Sequence, residues 1–177
     1  MKKSPTVPKA RSKKEVPSST AARRIKFQIK KVSISDLVPH EGTIEQHIKR
    51  ITKWMKKDGY QLRPIAISKL DSLGSKWKGK YLIHDGHHRT AAMKRLGRSH
   101  IIGSVFDYSN PKIKVFRYYR TNVPVPKQVV LERATSGKEV TPRFDKHFII
   151  GRNGELLPFH DNPMLEPKIR VKLSELR

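Results

Sequence analysis

From Ile25 to Ile34 the apolar residues Phe27, Ile29, Val32 and Ile34 recur in rough alternation, which predicts a first strand. A loop over residues 35–42 follows. The period then lengthens: Ile44, Ile48, Ile51 and Met55 recur at helical spacing, Thr43 with Gln46 reads as a capping box, and Gly59 ends the helix. Pro64-Ile-Ala-Ile67 is a short strand, residues 71–79 a polar Gly-containing turn, and Tyr81 to Ile83 the returning strand. His87 to Leu96 reads as a helix stopped by Gly97. Ile101 to Tyr108 and Ile113 to Tyr119 read as strands, Pro126 to Ala134 as a helix, and Ile169 to Leu173 as a last apolar run in a Pro-rich end. Strands and helices interleave without an internal repeat, so the fold class is α/β (α+β) on a mixed sheet. Trp54 and Trp77 read as structural.

Charge divides the chain. The net charge is +24, and residues 1–31 hold eleven Lys and Arg against the single acid Glu15. Residues 1–24 have too few apolar side chains to offset their ordering entropy, which predicts a basic disordered tail. The remainder is also basic, so polyanions are the expected partners: nucleotides, DNA or RNA. No run approaches the roughly 20 apolar residues of a membrane span, and the lysines near Met1 precede no apolar signal core. Cysteine is absent, which excludes disulfides, thiolate catalysis and Cys-based zinc sites and suits a reducing compartment, the cytoplasm.

The densest chemistry is Asp85-Gly86-His87-His88-Arg89-Thr90. A strand that enters a helix through glycine points unpaired backbone N–H groups and the positive end of the helix dipole at whatever lies above the turn, and two histidines, an arginine and a threonine add donors for phosphate oxygens. The bland alternative makes Asp85 a helix N-cap and the histidines exposed first-turn residues. Adjacent histidines do not share a helix face, so this pair predicts no metal site. Glu41, in the loop Pro39-His40-Glu41, is one of few acids in a basic chain and would serve as the base that takes a proton from an attacking hydroxyl. Asp107 and Tyr108 close a strand. Tyr118, Tyr119 and Arg120 form an aromatic-basic cluster, suited to a base or a small pocket but equally to strand packing. Residues 141–147 form a polar loop offering Thr, Arg, Lys and His.

Pro39-His40-Glu41, the helix after it, Pro64-Ile65, Asp85-Gly-His-His-Arg89, Leu96-Gly97 and Asp107-Tyr108 together resemble the ParB/sulfiredoxin superfamily over residues 27–120. A second patch, Thr141-Pro-Arg143, Lys146-His147, Leu157-Pro-Phe159 and residues 169–176, is similar to its free-serine kinase branch. The resemblance implies a small mixed sheet with flanking helices as a core over residues 25–120, and a C-terminal extension over 121–177 that packs on it and completes the site. It implies ATP or ADP bound at Asp85, Gly86, His87, His88, Arg89 and Thr90. Glu41 would be the catalytic glutamate, joined in catalysis by Asp85, His87 and Arg89, with Mg²⁺ near Asp85. Tyr118, Lys146 and His147 would contact a small hydroxyl substrate. The chain departs from the kinases in lacking a large insertion, with only residues 121–140 in its place, and in Phe144-Asp145, which stand where the kinases carry two threonines. An aspartate there repels phosphate. Sulfiredoxin chemistry needs a cysteine. Chromosome-partition relatives carry Gly-Glu-Arg-Arg at the turn and helix-turn-helix readers after the core, while one helix follows Arg120 here. A compact relative with ATPase and DNase activity is the alternative.

Overall fold

The computed structural model describes residues 25–138, 140–160, 162–163 and 165–177. The predicted disordered tail, residues 1–24, lies outside them. In chain order the elements are β1 (Phe27–Ser33), β2 (Leu37–Val38), α1 (Glu45–Asp58), β3 (Tyr60–Gln61), β4 (Ile65–Lys69), β5 (Tyr81–Asp85), α2 (His87–Arg95), β6 (His100–Phe106), β7 (Ile113–Arg117), β8 (Arg120–Pro124), α3 (Lys127–Ser136), β9 (Asp145–Ile150), β10 (Leu156–Pro158) and β11 (Val171–Lys172).

A five-stranded mixed sheet runs in the order β1-β6-β4-β5-β2. Its centre, β4 against β5, is antiparallel, while β4 lies parallel to β6 and β5 parallel to β2. Successive residues of β4 and β5 enter opposite cores: Ile65, Ile67 and Ile83 pack with Met93 of α2, whereas Ala66 and Leu82 pack with Phe106, Ile113 and Ile149. Both faces are therefore covered, which is why these strands read as continuous apolar runs rather than alternating ones. The second layer is an antiparallel sheet, β10-β9-β7-β8, with Val130 and Ala134 of α3 packed into the shared core.

Several expectations are corrected. Residues 141–147 are not all loop, because β9 begins at Asp145 and pairs along β7. The predicted capping box is absent: α1 starts at Glu45 with Ile44 as its cap and no side-chain cap bond. Its role passes to His88, whose Nε2 accepts the Ile44 N–H at 2.9 Å. Trp54 is 55% exposed, with the Arg50 guanidinium 5.3 Å from its ring centre, whereas Trp77 does pack on the core. Among the described residues no helix is long and apolar enough to cross a membrane.

Candidate active site

The β5–α2 turn has the geometry its sequence predicts, for a steric reason. Gly86 sits at φ +104°, and a Cβ there would lie 2.4 Å from Ile65 Cγ2. Only glycine fits both the backbone angle and the approach to β4. The first helical bond after it is Thr90 N–H to the Gly86 carbonyl, 2.9 Å, which leaves the preceding N–H groups without helical acceptors at the positive end of the dipole.

The side chains of this turn divide in a way the sequence did not foretell. Asp85 is no N-cap; it accepts from Arg89 Nη2 at 2.5 Å. The same guanidinium group donates to Glu166 Oε1 at 2.5 Å and to the Pro64 carbonyl at 2.6 Å. Arg89 is thus committed to carboxylates rather than standing open for phosphate. Thr90 donates its hydroxyl to the Gly86 carbonyl, 3.1 Å, so it holds the helix start and is not a phosphate donor in this arrangement. His87 is buried instead of exposed, with Nδ1 3.5 Å from Glu41 Oε1. His88 faces the cavity while capping α1.

Opposite the turn stands Glu41. Its loop is tied down by Val140, whose carbonyl accepts the Gly42 N–H at 2.9 Å and whose N–H reaches the His40 carbonyl at 3.4 Å. Burial pushes the Glu41 carboxyl up from 4.5 to about 7, the anions Asp85 and Asp145 add to the rise, and the Arg143 backbone N–H opposes it. A carboxyl poised near neutrality is the protonation behaviour a general base requires.

Beneath them lies a buried histidine cluster. His40 Nδ1 donates to the Ile83 carbonyl at 2.8 Å. His84 meets Ser68 Oγ at 2.8 Å and His147 Nε2 at 3.2 Å, and the Tyr108 hydroxyl reaches the same His147 nitrogen at 3.0 Å. Burial holds His84, His87 and His147 well below the ordinary histidine range and His40 at about 4, so the cluster is neutral at pH 7. The structure therefore places His147 in the site floor.

A cavity of about 280 Å³ joins these parts; Glu41, Asp85, Gly86, His88, Arg89, Tyr118, Lys146 and His147 all line it. Lys146 Nζ lies 5.5 Å from the Tyr118 ring centre. A wider surface cleft of about 620 Å³, lined by Lys56, Arg95, Arg98 and Lys172, contains none of the predicted site residues. Asp107 does not reach the site; its carboxylate accepts from the Ser109 hydroxyl at 2.7 Å in a surface turn. Asp145, expected to repel phosphate, is paired with Arg133 of α3 and lies 4.0 Å from Arg117, and both guanidinium groups sit over the Phe144 ring. Its charge is neutralised within the protein.

Sequence reasoning missed Glu166 and His160. The Glu166 side chain is 1% exposed. Burial raises its carboxyl to about 8, with Asp85 adding to the rise, so at neutral pH it is a protonated acid hydrogen-bonded to Asp85. Burial works against ionised Asp85, but the hydrogen bond from His160, the Arg89 charge and Glu166 together hold its carboxyl well below the usual range. Ligand atoms of Asp85, His160 and Glu166 lie within 4.8 Å of one another.

Comparison with known proteins follows the same lines. No family model matches the chain. An ATP-dependent L-serine kinase of Staphylothermus marinus is 28% identical over 88 residues, 50% of this chain and 33% of that protein. An ADP-dependent L-serine kinase of Thermococcus kodakarensis is 25% identical over 88 residues, 50% of this chain and 34% of that protein. The matched stretch thus spans about a third of the length of these relatives. A solved free serine kinase in complex with AMP superimposes with a TM-score of 0.65 at 15% identity, covering 94% of this chain and 98% of the other. The fold is the free-serine kinase fold. The C-terminally truncated SbnI of Staphylococcus aureus shares it at TM-score 0.61 and 12% identity, covering 84% and 89% of the two chains. Likeness by sequence and by fold falls on the kinase side of the resemblance drawn above.

Proposed function

We propose that the protein is a nucleotide-dependent phosphotransferase that transfers a phosphoryl group from ATP or ADP to a small hydroxyl acceptor, with L-serine the first acceptor to test. The observation that carries this reading is the pairing, across one cavity, of a carboxyl poised near pH 7, Glu41, with the helix N-terminus at Gly86. Glu41 takes the acceptor's hydroxyl proton as its oxygen attacks phosphorus. The N–H groups of the α2 first turn and Lys146 meet the charge that spreads over the transferring oxygens. Tyr118 and His147 shape the acceptor end. Arg89 orients Asp85 and so acts through it, and His87 braces Glu41.

The donor set fits Mg²⁺ in one way. Asp85, His160 and Glu166 would make a protein cage, but the Arg89 guanidinium already bridges the two carboxylates. Asp85, with its side chain 28% exposed, fits as a single carboxylate ligand to an ion carried mainly by nucleotide phosphates. Such an ion would screen the charge of the phosphates.

Residues 121–177 complete the site of the 25–120 core in this reading, supported by Lys146, His147 and Glu166. The enzyme would work in the cytoplasm, where ATP and ADP are supplied. A second reading, nucleic-acid binding or cleavage, draws on the net charge of +24 and on exposed Trp54 stacked with Arg50 beside the cavity. Incubation with terminally labelled ATP or ADP and L-serine should give labelled phosphoserine. Bound nucleotide without that product overturns serine as acceptor, and strand scission of duplex DNA by the same preparation favours the second reading.

A further inference from the structure

Arg143 stands out on independent grounds. It is the one non-glycine residue at positive φ, +62°, among those described. A left-handed arginine costs about 1 kcal/mol or more of backbone strain and persists where its surroundings impose it. Here the surroundings are the site. Three residues earlier, Val140 is bonded to both sides of Glu41 through Gly42 N–H and the His40 carbonyl. Residues 140–143 therefore form a strap across the Glu41 loop. At its end the left-handed turn aims the Arg143 N–H at the Glu41 carboxylate, while the side chain lines the cavity with its guanidinium carbon 5.8 Å from the Tyr118 ring centre. One residue thus addresses the base through its backbone and the cavity through its charge.

We propose that Arg143 is a positioning residue that couples phosphate binding to the orientation of Glu41: its guanidinium reads phosphate oxygens in the cavity, and its left-handed backbone N–H holds the base. This rests on the phosphotransferase reading for its ligands, although not for its geometry. Phosphate docked on the guanidinium keeps the strap closed, and the closed strap keeps the N–H on Glu41. The groups facing Glu41 are His87 from α2, Asp85 from β5, Asp145 from β9 and Arg143 itself. Of these only Arg143 supplies both a donor and a positive charge. The phosphate could belong to the nucleotide or to a phosphorylated acceptor, so both are probed.

Three variants separate the two functions. Arg143→Gly keeps the N–H and accepts the left-handed turn but removes the guanidinium. Arg143→Pro removes the N–H and forbids positive φ, and Arg143→Val keeps the N–H but resists the turn. Calorimetry with ADP and separately with O-phosphoserine measures binding, and ¹³C NMR of labelled glutamates, with Glu41→Gln for assignment, measures the Glu41 titration midpoint. Arg143→Gly should weaken at least one ligand roughly tenfold, as loss of one charge-assisted hydrogen bond does. It should leave the Glu41 midpoint nearly unmoved. Arg143→Val, and Arg143→Pro if it folds, should raise that midpoint by about one unit, because an N–H donor favours the ionised carboxylate. Binding of both ligands unchanged in Arg143→Gly overturns the phosphate role. A midpoint that moves equally in Arg143→Gly and Arg143→Val overturns the backbone role. If the wild-type protein makes no phosphoserine yet these differences persist, the acceptor assignment has failed and the coupling stands.

Discussion

Replacing Glu41 by glutamine tests the site through stability as well as activity. The folded carboxyl titrates at about 7 against an ordinary 4.5. At about 1.4 kcal/mol per pKa unit, the ionised form costs the fold on the order of 3 kcal/mol. The side chain is 15% exposed, so solvent trims this to about 2–3 kcal/mol. The sign follows from the protons: between pH 4.5 and 7 the folded protein keeps a proton that the unfolded chain releases, so stability falls as pH rises through that window. Glutamine carries no such proton and matches the shape of the neutral acid. Glu41→Gln should therefore melt close to wild type near pH 4.5 and above it by roughly 5–10 °C near pH 8, using about 2–4 °C per kcal/mol for a chain of this size. Thermal melts by circular dichroism across that range measure the gap. The same variant should bind ADP and fail to transfer phosphate. A gap that stays constant with pH would refute the argument, since it would mean that Glu41 titrates at its ordinary value and has no claim to be a base near neutrality.

Three further expectations concern the frame around it. Gly86→Ala should cost about 2–4 kcal/mol in urea denaturation, from a left-handed backbone and a Cβ pressed on Ile65; a loss under 1 kcal/mol would show that the β4–β5 approach can relax. Glu166→Gln should leave stability at about pH 6.5 almost unchanged, since a protonated acid and an amide both donate to Asp85 and accept from Arg89. Its stability should then lack the wild-type decline as pH rises toward 8, and a loss of about 3 kcal/mol at pH 6.5 would instead identify an ionised salt bridge. Asp145→Asn should destabilise by about 3 kcal/mol by leaving Arg133 and Arg117 facing each other across Phe144, and an unchanged denaturation midpoint would reject that role.

What the sequence made legible was local. The β5–Gly86–α2 unit shows itself because a buried strand, a turn needing glycine and a helix are each encoded within a few residues, and Glu41 shows itself as an acid in a basic chain. What it concealed depends on partners far along the chain. β9 opens with Asp145, Lys146 and His147, a polar triplet that reads as loop until Arg133 of α3 neutralises the first and Tyr108 and His84 accommodate the third. The Thr43–Gln46 capping pattern is a genuine local signal, yet His88, 44 residues onward, supplies the group that meets Ile44. Glu166 carries no pattern at all, and its meaning arises from Arg89, 77 residues away. A basic chain makes this division sharper. Its many cations advertise an anion site, but the few buried carboxyls, Glu41, Asp85, Asp145 and Glu166, decide where that site is, because each must be protonated, paired or poised to lie under the surface. Two of them, Glu41 and Glu166, are pushed up toward neutrality from opposite sides of Asp85. The protonation state of the acids, more than the abundance of the bases, therefore sets the pH at which the cavity is ready for phosphate.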